Sequence, residues 1–123
     1  MTAAALLCRQ LVGQSGASSP ILGKHAKLVI TRLPEWDTGG SIDMYYWFYG
    51  SQALARWGGS EWTAWAKALS RAAVAAQRKD GDASGSWDPI DVWSYSGGRI
   101  YSTAMMALSL EAPFRHGAAR TPP

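Results

Sequence analysis

This sequence has few cysteines, no basic segment near its start and no long apolar run, and each of these features argues against a class of protein. The 123 residues include a single cysteine, Cys8, so an internal disulfide is excluded and a reducing compartment is compatible with the chain. The opening MTAAALLCRQ has no basic segment before its apolar run, which Arg9 ends, so we predict no secretory signal. No apolar run approaches the roughly 20 residues that a membrane-spanning helix needs. We therefore expect no transmembrane segment and favour a cytoplasmic location.

Clustered charge is also missing. The formal net charge is +3, but the basic residues are scattered from Arg9 to Arg120 and cluster no further than the pair Arg78–Lys79. A nucleic-acid-binding domain usually carries a basic stripe or patch. The sequence therefore argues against a nucleic-acid partner.

Large aromatic side chains are abundant. Seven tryptophans and five tyrosines accompany an apolar content of 47%, which is enough for one packed domain. No segment alternates with period two for long enough to be a strand, whereas helical periodicity recurs throughout. We predict an all-α fold over residues 1–116, followed by a disordered tail over 117–123.

Capping and helix-breaking residues place five helices in this domain. The predicted spans are about 2–13, 20–33, 43–58, 60–79 and 99–114. Thr2, Asp43 and Ser60 are the expected N-caps of the first, third and fourth helices. The pair Gly58–Gly59 is expected to end the third helix.

The helix faces predict an alternation of inner and outer helices. The third and fifth helices carry few charges and are expected to be buried on most sides, whereas the fourth is amphipathic. A weak internal repeat also relates these two inner helices, because Trp47, Gly50, Ala53 and Leu54 match Tyr101, Ala104, Ala107 and Leu108 at the same spacing. Together these patterns suggest stacked helical hairpins.

The loop QRKDGDASGSWDP, residues 77–89, has two interpretations. In the first it is a structural clasp, in which the Gln77 amide bonds free carbonyls at a helix end, the Trp87 indole covers the joint, and Gly85 permits the close approach. In the second it is a calcium loop, whose candidate ligands follow an EF-hand spacing: Asp80, Asp82, Ser84, Asp88 and Asp91. Asp91 stands where such a loop needs glutamate, and Pro89 stands where its exiting helix should begin. The clasp is favoured, and both the calcium loop and an ordinary solvated loop with neither role stay open.

The clasp carries a family resemblance. Gln77 followed by Gly85-Ser86-Trp87 resembles the Q-x-G-x-W motif of the terpenoid cyclase and protein prenyltransferase α/α-toroid superfamily. The segments GGRIYSTAMMALSLE and DMYYWFYGSQAL are similar to inner helices of that superfamily, the second to those of bacterial squalene-cyclase-like proteins. The resemblance implies a partial α/α toroid of stacked hairpins. It also implies that the remainder of a toroid, or self-association, completes the ring.

The chemistry that the resemblance would supply is missing. The cyclase acid is an Asp-x-Asp-Asp run, but Asp80-Gly81-Asp82 is followed by Ala83. The prenyltransferase zinc site needs an aspartate two residues before its cysteine, where this chain has Leu6. We therefore predict no catalytic residue, no metal and no cofactor, and expect Cys8 to be a buried helix residue.

An inner helix so rich in rings raises one binding hypothesis. Tyr45, Tyr46, Trp47, Tyr49 and Tyr101 are candidate cavity-lining aromatics, although packing of the core explains them more simply. The preferred function is a non-catalytic α/α-toroid segment with a binding or assembly role. The alternatives are a fragment of an isoprenoid-processing enzyme and a calcium-binding helical module.

Overall fold

Five α-helices make up the fold of this protein in a computed structural model, which describes residues 1–16, 18–37 and 42–116. They are α1 (Thr2–Leu11), α2 (Ile21–Val29), α3 (Met44–Trp57), α4 (Gly59–Ala76) and α5 (Ser94–His116). The described ranges contain no β-strand, so the all-α prediction is confirmed. None of these helices is long and apolar enough to cross a membrane. The predicted tail over 117–123 lies outside the described residues.

Helix α3 is the centre of the structure. It packs against α1, α2, α4 and α5, and its buried side chains include Trp47, Ala53 and Leu54. Such burial explains why this helix carries tyrosines and tryptophan where an outer helix would carry charges. The third predicted helix is thus an inner one.

The joint between α3 and α4 depends on glycines. Gly58 and Gly59 both have positive φ, at 79° and 66°, so the chain reverses there and the predicted end of the third helix is confirmed. The reversal lays Trp65 of α4 over Gly50 of α3. The Trp65 indole donates a hydrogen bond to Ser51 Oγ at 2.9 Å and is completely buried.

Only one of the three predicted N-caps forms. The Asp43 carboxylate accepts a hydrogen bond from the Tyr46 backbone N–H at 2.9 Å, as expected for an N-cap. Ser60 instead lies inside α4, because the glycine reversal makes Gly58 the N-cap residue and starts the helix at Gly59. The Ser60 hydroxyl donates to Glu61. Thr2 lies inside α1, which begins without a side-chain cap.

Three predicted helix ends were too late. α1 ends at Leu11 and α2 at Val29, and neither extends to Gly13 or Leu33. α4 ends at Ala76 because the backbone of Gln77 is extended, with ψ of 129°. Residues 77–79 therefore belong to the following loop.

Helix α5 corrects the expectation that the fifth helix is buried on most sides. It starts at Ser94, is kinked at Gly98 with φ of 56°, and then runs from the predicted start at residue 99 through Pro113 to His116. Its buried residues form one narrow face: Ser102, Met106, Ser109 and Ala112. The opposite face carries Ile100 and Phe114, which are 86% and 78% exposed. The absence of charged residues from 100 to 110 thus does not reflect burial on most sides, because exposed apolar side chains of this helix are left uncovered by the described part of the chain.

Candidate functional site

A cleft lies where the first turn of α1, the end of α2 and the start of α3 meet. Its volume is about 850 Å³. Five aromatic side chains line it, and we call this space the aromatic cleft: Tyr45, Tyr46, Trp47, Tyr49 and Trp93. Four of the five cavity aromatics suggested by the sequence are therefore in one place. Tyr101 is not among the lining residues, and Trp93 joins them unpredicted.

A chain of touching rings follows one wall of the aromatic cleft. The ring centroids of Trp93 and Tyr45 are 5.9 Å apart, and those of Tyr45 and Tyr49 are 4.7 Å apart. Tyr45 and Tyr49 can stack because they are four residues apart on the same helix face. Tyr45 and Trp93 remain 40% and 55% exposed, so their faces are accessible from the cleft.

The two other predicted aromatics are mostly structural. Trp47 is buried and packs on Trp36, with centroids 6.3 Å apart. The Tyr46 hydroxyl donates to the Val29 carbonyl oxygen at 2.6 Å, which ties α3 to the end of α2. Burial raises the pKa of Tyr46, and the nearby Arg32 guanidinium partly offsets that rise. These rings form the floor of the cleft, and the core-packing interpretation fits them.

Asp43 positions the wall of the cleft. Its Oδ1 atom accepts hydrogen bonds from the Tyr46 backbone N–H and from the Trp93 indole, the latter at 3.2 Å. One carboxylate thus caps α3 and holds an indole from a distant segment. Two further charged side chains, Arg32 and Glu35, also line the cleft.

A buried polar cluster lies on the other side of the α3 N-terminus. The Asp91 carboxylate accepts from the Met44 backbone N–H at 3.0 Å and from the Ser94 hydroxyl, and Ser94 Oγ is 3.0 Å from Ser102 Oγ. A buried carboxylate at a helix N-terminus is stabilised by the free N–H groups and the helix dipole. Asp91 is therefore a second cap of α3.

Tyr101 lies close to this cluster. Its hydroxyl is buried and has no hydrogen-bond partner among the described residues. Burial and the carboxylates of Asp91 and Asp43 raise the pKa of Tyr101 to about 12. The phenol is therefore neutral at physiological pH.

The structure brings the clasp residues together, but with a different pairing of groups from the one expected. The Trp87 indole is 6% exposed and donates to the Ala73 carbonyl oxygen of α4 at 2.9 Å. The Gln77 amide donates to the Gly85 carbonyl oxygen within the loop, also at 2.9 Å, rather than to a helix-end carbonyl. The Trp87 backbone N–H approaches Thr103 Oγ1 of α5 at 3.3 Å. Trp87 thus connects α4 through its indole to α5 through its backbone N–H, and the Gln77 amide closes the loop.

The loop backbone supports this arrangement. The Arg78 N–H donates to the Ser86 carbonyl and the Gly85 N–H donates to the Arg78 carbonyl, at 2.9 and 2.8 Å. Gly85 has φ of 82°, which explains why glycine stands at this turn.

The candidate calcium ligands do not converge. Asp80 is highly exposed, Asp88 is bound by Arg99 at 2.6 Å, and Asp91 faces the N-terminus of α3. Asp82 and Ser84 are exposed side chains of the same loop. Across residues 1–16, 18–37 and 42–116, no group of three or more acidic, histidine or cysteine side chains could hold a metal ion. Cys8, expected to be buried, is exposed on α1.

Sequence comparison adds no relative to this description. No protein-family model matches the chain, and neither a curated protein nor a solved structure matches it significantly. The functional argument therefore rests on the residues and their geometry.

Proposed function

We propose that this chain is a non-catalytic module of helical hairpins, related to the α/α toroids, that binds an apolar organic ligand in the aromatic cleft. The observation that carries the proposal is the accessible ring pair Tyr45–Trp93 at the wall of a space of about 850 Å³. Binding sites for small molecules are typically concave, apolar and aromatic, with volumes of about 300–1,000 Å³ and a few polar groups.

The lining favours a ligand without net charge. Arg32 bears one positive side-chain charge in the cleft, whereas Glu35 and Asp43 each bear a negative one. Asp43 is already bonded to the Trp93 indole and to the α3 backbone, so its charge is partly satisfied. Ring faces and aliphatic carbons are then the main contacts available. Isoprenoids belong to this chemical class, in line with the resemblance to the cyclases.

Ligand-detected NMR with farnesol, an isoprenoid alcohol, tests the proposal. We expect saturable binding to the full chain and an affinity about two- to tenfold lower in Tyr45→Ala, since one aromatic contact contributes about 0.5–1.5 kcal/mol. Tyr95→Ala is the matched control, because Tyr95 is 99% exposed and does not line the cleft. Absence of binding, or equal losses in both variants, would contradict the proposal.

A second candidate function is assembly, and one observation favours it. Ile100 and Phe114 lie on the outer face of α5, which the described part of the chain leaves uncovered. An apolar helix face is stable in water only when another element covers it. We propose that a second copy of this chain covers it by self-association.

Sedimentation velocity distinguishes assembly from binding alone. The wild-type chain should sediment as a dimer or larger species, and the double variant Ile100→Lys, Phe114→Lys should shift it to the monomer. Val74→Lys on α4, at another exposed apolar residue, is the control. A wild-type chain that stays monomeric at high concentration would dismiss self-association and leave the cleft proposal intact.

A further inference from the structure

A second concave site lies away from the aromatic cleft, where the ends of α1, α3 and α5 meet. Its volume is about 450 Å³, and we call it the polar pocket. Its polar side chains are Gln10, Gln14, Ser15, Arg56 and His116. No aspartate or glutamate is among the described residues that line it. The pocket therefore offers donors and positive charge without a competing carboxylate.

The hydrogen bonds of the polar pocket fix the protonation state of His116. The Gln52 side chain donates from Nε2 to the Leu108 carbonyl at 3.0 Å, so its Oε1 atom must be an acceptor. Oε1 is 2.6 Å from His116 Nε2, which therefore carries a proton. His116 Nδ1 lies 3.3 Å from Arg56 Nη1, and because arginine only donates, Nδ1 is the acceptor. His116 is thus neutral in this arrangement, with its proton on Nε2.

Protonation of His116 Nδ1 would make its contact with the Arg56 guanidinium unfavourable. An imidazolium N–H and a guanidinium N–H would then face each other, and both would need an acceptor between them. The desolvation of His116 and the positive charges of Arg56 and Arg115 lower its pKa in the free protein. Arg115 is itself paired with Glu111 at 3.1 Å. On the α1 side of the pocket, Arg9 donates a hydrogen bond to the lining residue Gln14.

Gln14 adds a third donor. Its Oε1 atom accepts from Arg9 at 3.2 Å, so its NH₂ group is left to donate. Arg9 also places a second guanidinium charge behind the amide. Donors from the segment after α1, from α3 and from α5 line the same pocket, so they can together serve an acceptor that has several oxygens in different directions, such as a tetrahedral oxyanion.

We propose that the polar pocket binds a phosphate group, whose oxygens take the place of the direct contact between Arg56 and His116. The bound anion accepts from the Arg56 guanidinium, from protonated His116 Nδ1 and from the Gln14 amide. His116 Nε2 keeps its bond to Gln52. Binding is therefore coupled to the uptake of one proton by His116, and the affinity falls as the pH rises through the pKa of His116 in the complex.

NMR titration of the two histidines in the full chain tests the coupling without any variant. In inorganic phosphate, compared with chloride at equal ionic strength, the pKa of His116 should rise by about one unit. His25 on α2 is the internal reference and should not respond, since it does not line the pocket. Equal responses of both histidines, or no response of His116, would overturn the proposal.

Charge-matched variants test the site itself. Arg56→Gln should weaken phosphate binding by at least about tenfold, because it removes a charge-assisted hydrogen bond. Arg71→Gln removes the same charge from the exposed surface of α4 and should leave the affinity unchanged. Equal losses of phosphate affinity in the two variants would show that only the net charge of the protein matters, and would refute a specific site.

The origin of the phosphate group is assigned by a further arm of the titration. Phosphatidylcholine vesicles with and without phosphatidic acid replace the inorganic phosphate. A His116 response to the phosphatidic acid vesicles in addition to inorganic phosphate would assign the pocket to a lipid headgroup. A response to inorganic phosphate alone would assign it to a small soluble phosphate.

Discussion

Replacing Gly50 by alanine should destabilise this protein, although the same change stabilises most helices. Alanine is favoured over glycine by about 1 kcal/mol in a helix interior. At Gly50, however, the new Cβ atom would lie 2.5 Å from Cη2 of the Trp65 indole and 3.2 Å from its Cε2. Real Cβ atoms essentially never approach this closely, so either the indole or the two helices must move.

The indole has little freedom to move. Trp65 is fully buried, donates to Ser51 Oγ and meets the edge of the Tyr46 ring at a centroid distance of 5.6 Å. Overpacking typically costs about 1–3 kcal/mol, and this constrained site belongs at the upper end of that range. After the gain in helix propensity is subtracted, we expect a net loss of about 2 kcal/mol in the free energy of unfolding.

Urea denaturation followed by circular dichroism measures the effect. A loss of about 2 kcal/mol lowers the midpoint by about 1–2 M for a domain of this size. Gly23→Ala is the matched control, because its Cβ would meet only Trp57 at 3.8 Å, an ordinary contact. We expect that control to gain about 0.5–1 kcal/mol. If Gly50→Ala were as stable as the wild type, the packing of α4 on α3 described above would be refuted.

Two further substitutions test the loop and the polar cluster. Trp87→Phe keeps a buried ring but removes the hydrogen bond to the Ala73 carbonyl, so the free energy of unfolding should fall by about 1–2 kcal/mol. Trp93→Phe is the control and should cost less, because its indole is half-exposed. Equal losses of the two variants in urea denaturation would argue against the clasp. Tyr101 has a folded pKa of about 12 and an unfolded value near 10, so its contribution to stability is complete below pH 10 and is lost as the pH rises towards 12. Tyr101→Phe should therefore lose less stability over that interval than the wild type, and at neutral pH it should be at least as stable, because the buried hydroxyl has no hydrogen-bond partner among the described residues. Unfolding free energies that decline in parallel with pH would contradict this.

The sequence predicts a helix boundary correctly where the residues that cause it lie within a few positions of one another. Asp43 caps α3 with its own side chain, and Gly58 supplies a positive φ within the turn. Both effects act within a few residues, so residue type and position are enough to predict them. The prediction that Ser60 is the N-cap of α4 was wrong, because the neighbouring glycine reversal starts the helix earlier and Gly58 takes the N-cap position.

The candidate sites depended on contacts between distant segments. Asp91 fits a calcium-loop spacing, but its carboxylate binds the N-terminus of α3 instead. Trp93 enters the aromatic cleft because Asp43 accepts a hydrogen bond from its indole. His116 reaches Arg56 and Gln52 only once α5 has packed on α3. No periodicity in the sequence encodes these pairings.

The sequence by itself determined that the protein is helical, where its third helix begins and ends, and which segment would be rich in rings, because these properties follow from backbone preference and side-chain type. The tertiary structure alone decided which face of α5 is buried, which rings line a cleft, and which polar groups meet at α3. Those outcomes depend on how helices distant in sequence pack together, and packing selects among faces that are nearly equivalent in composition.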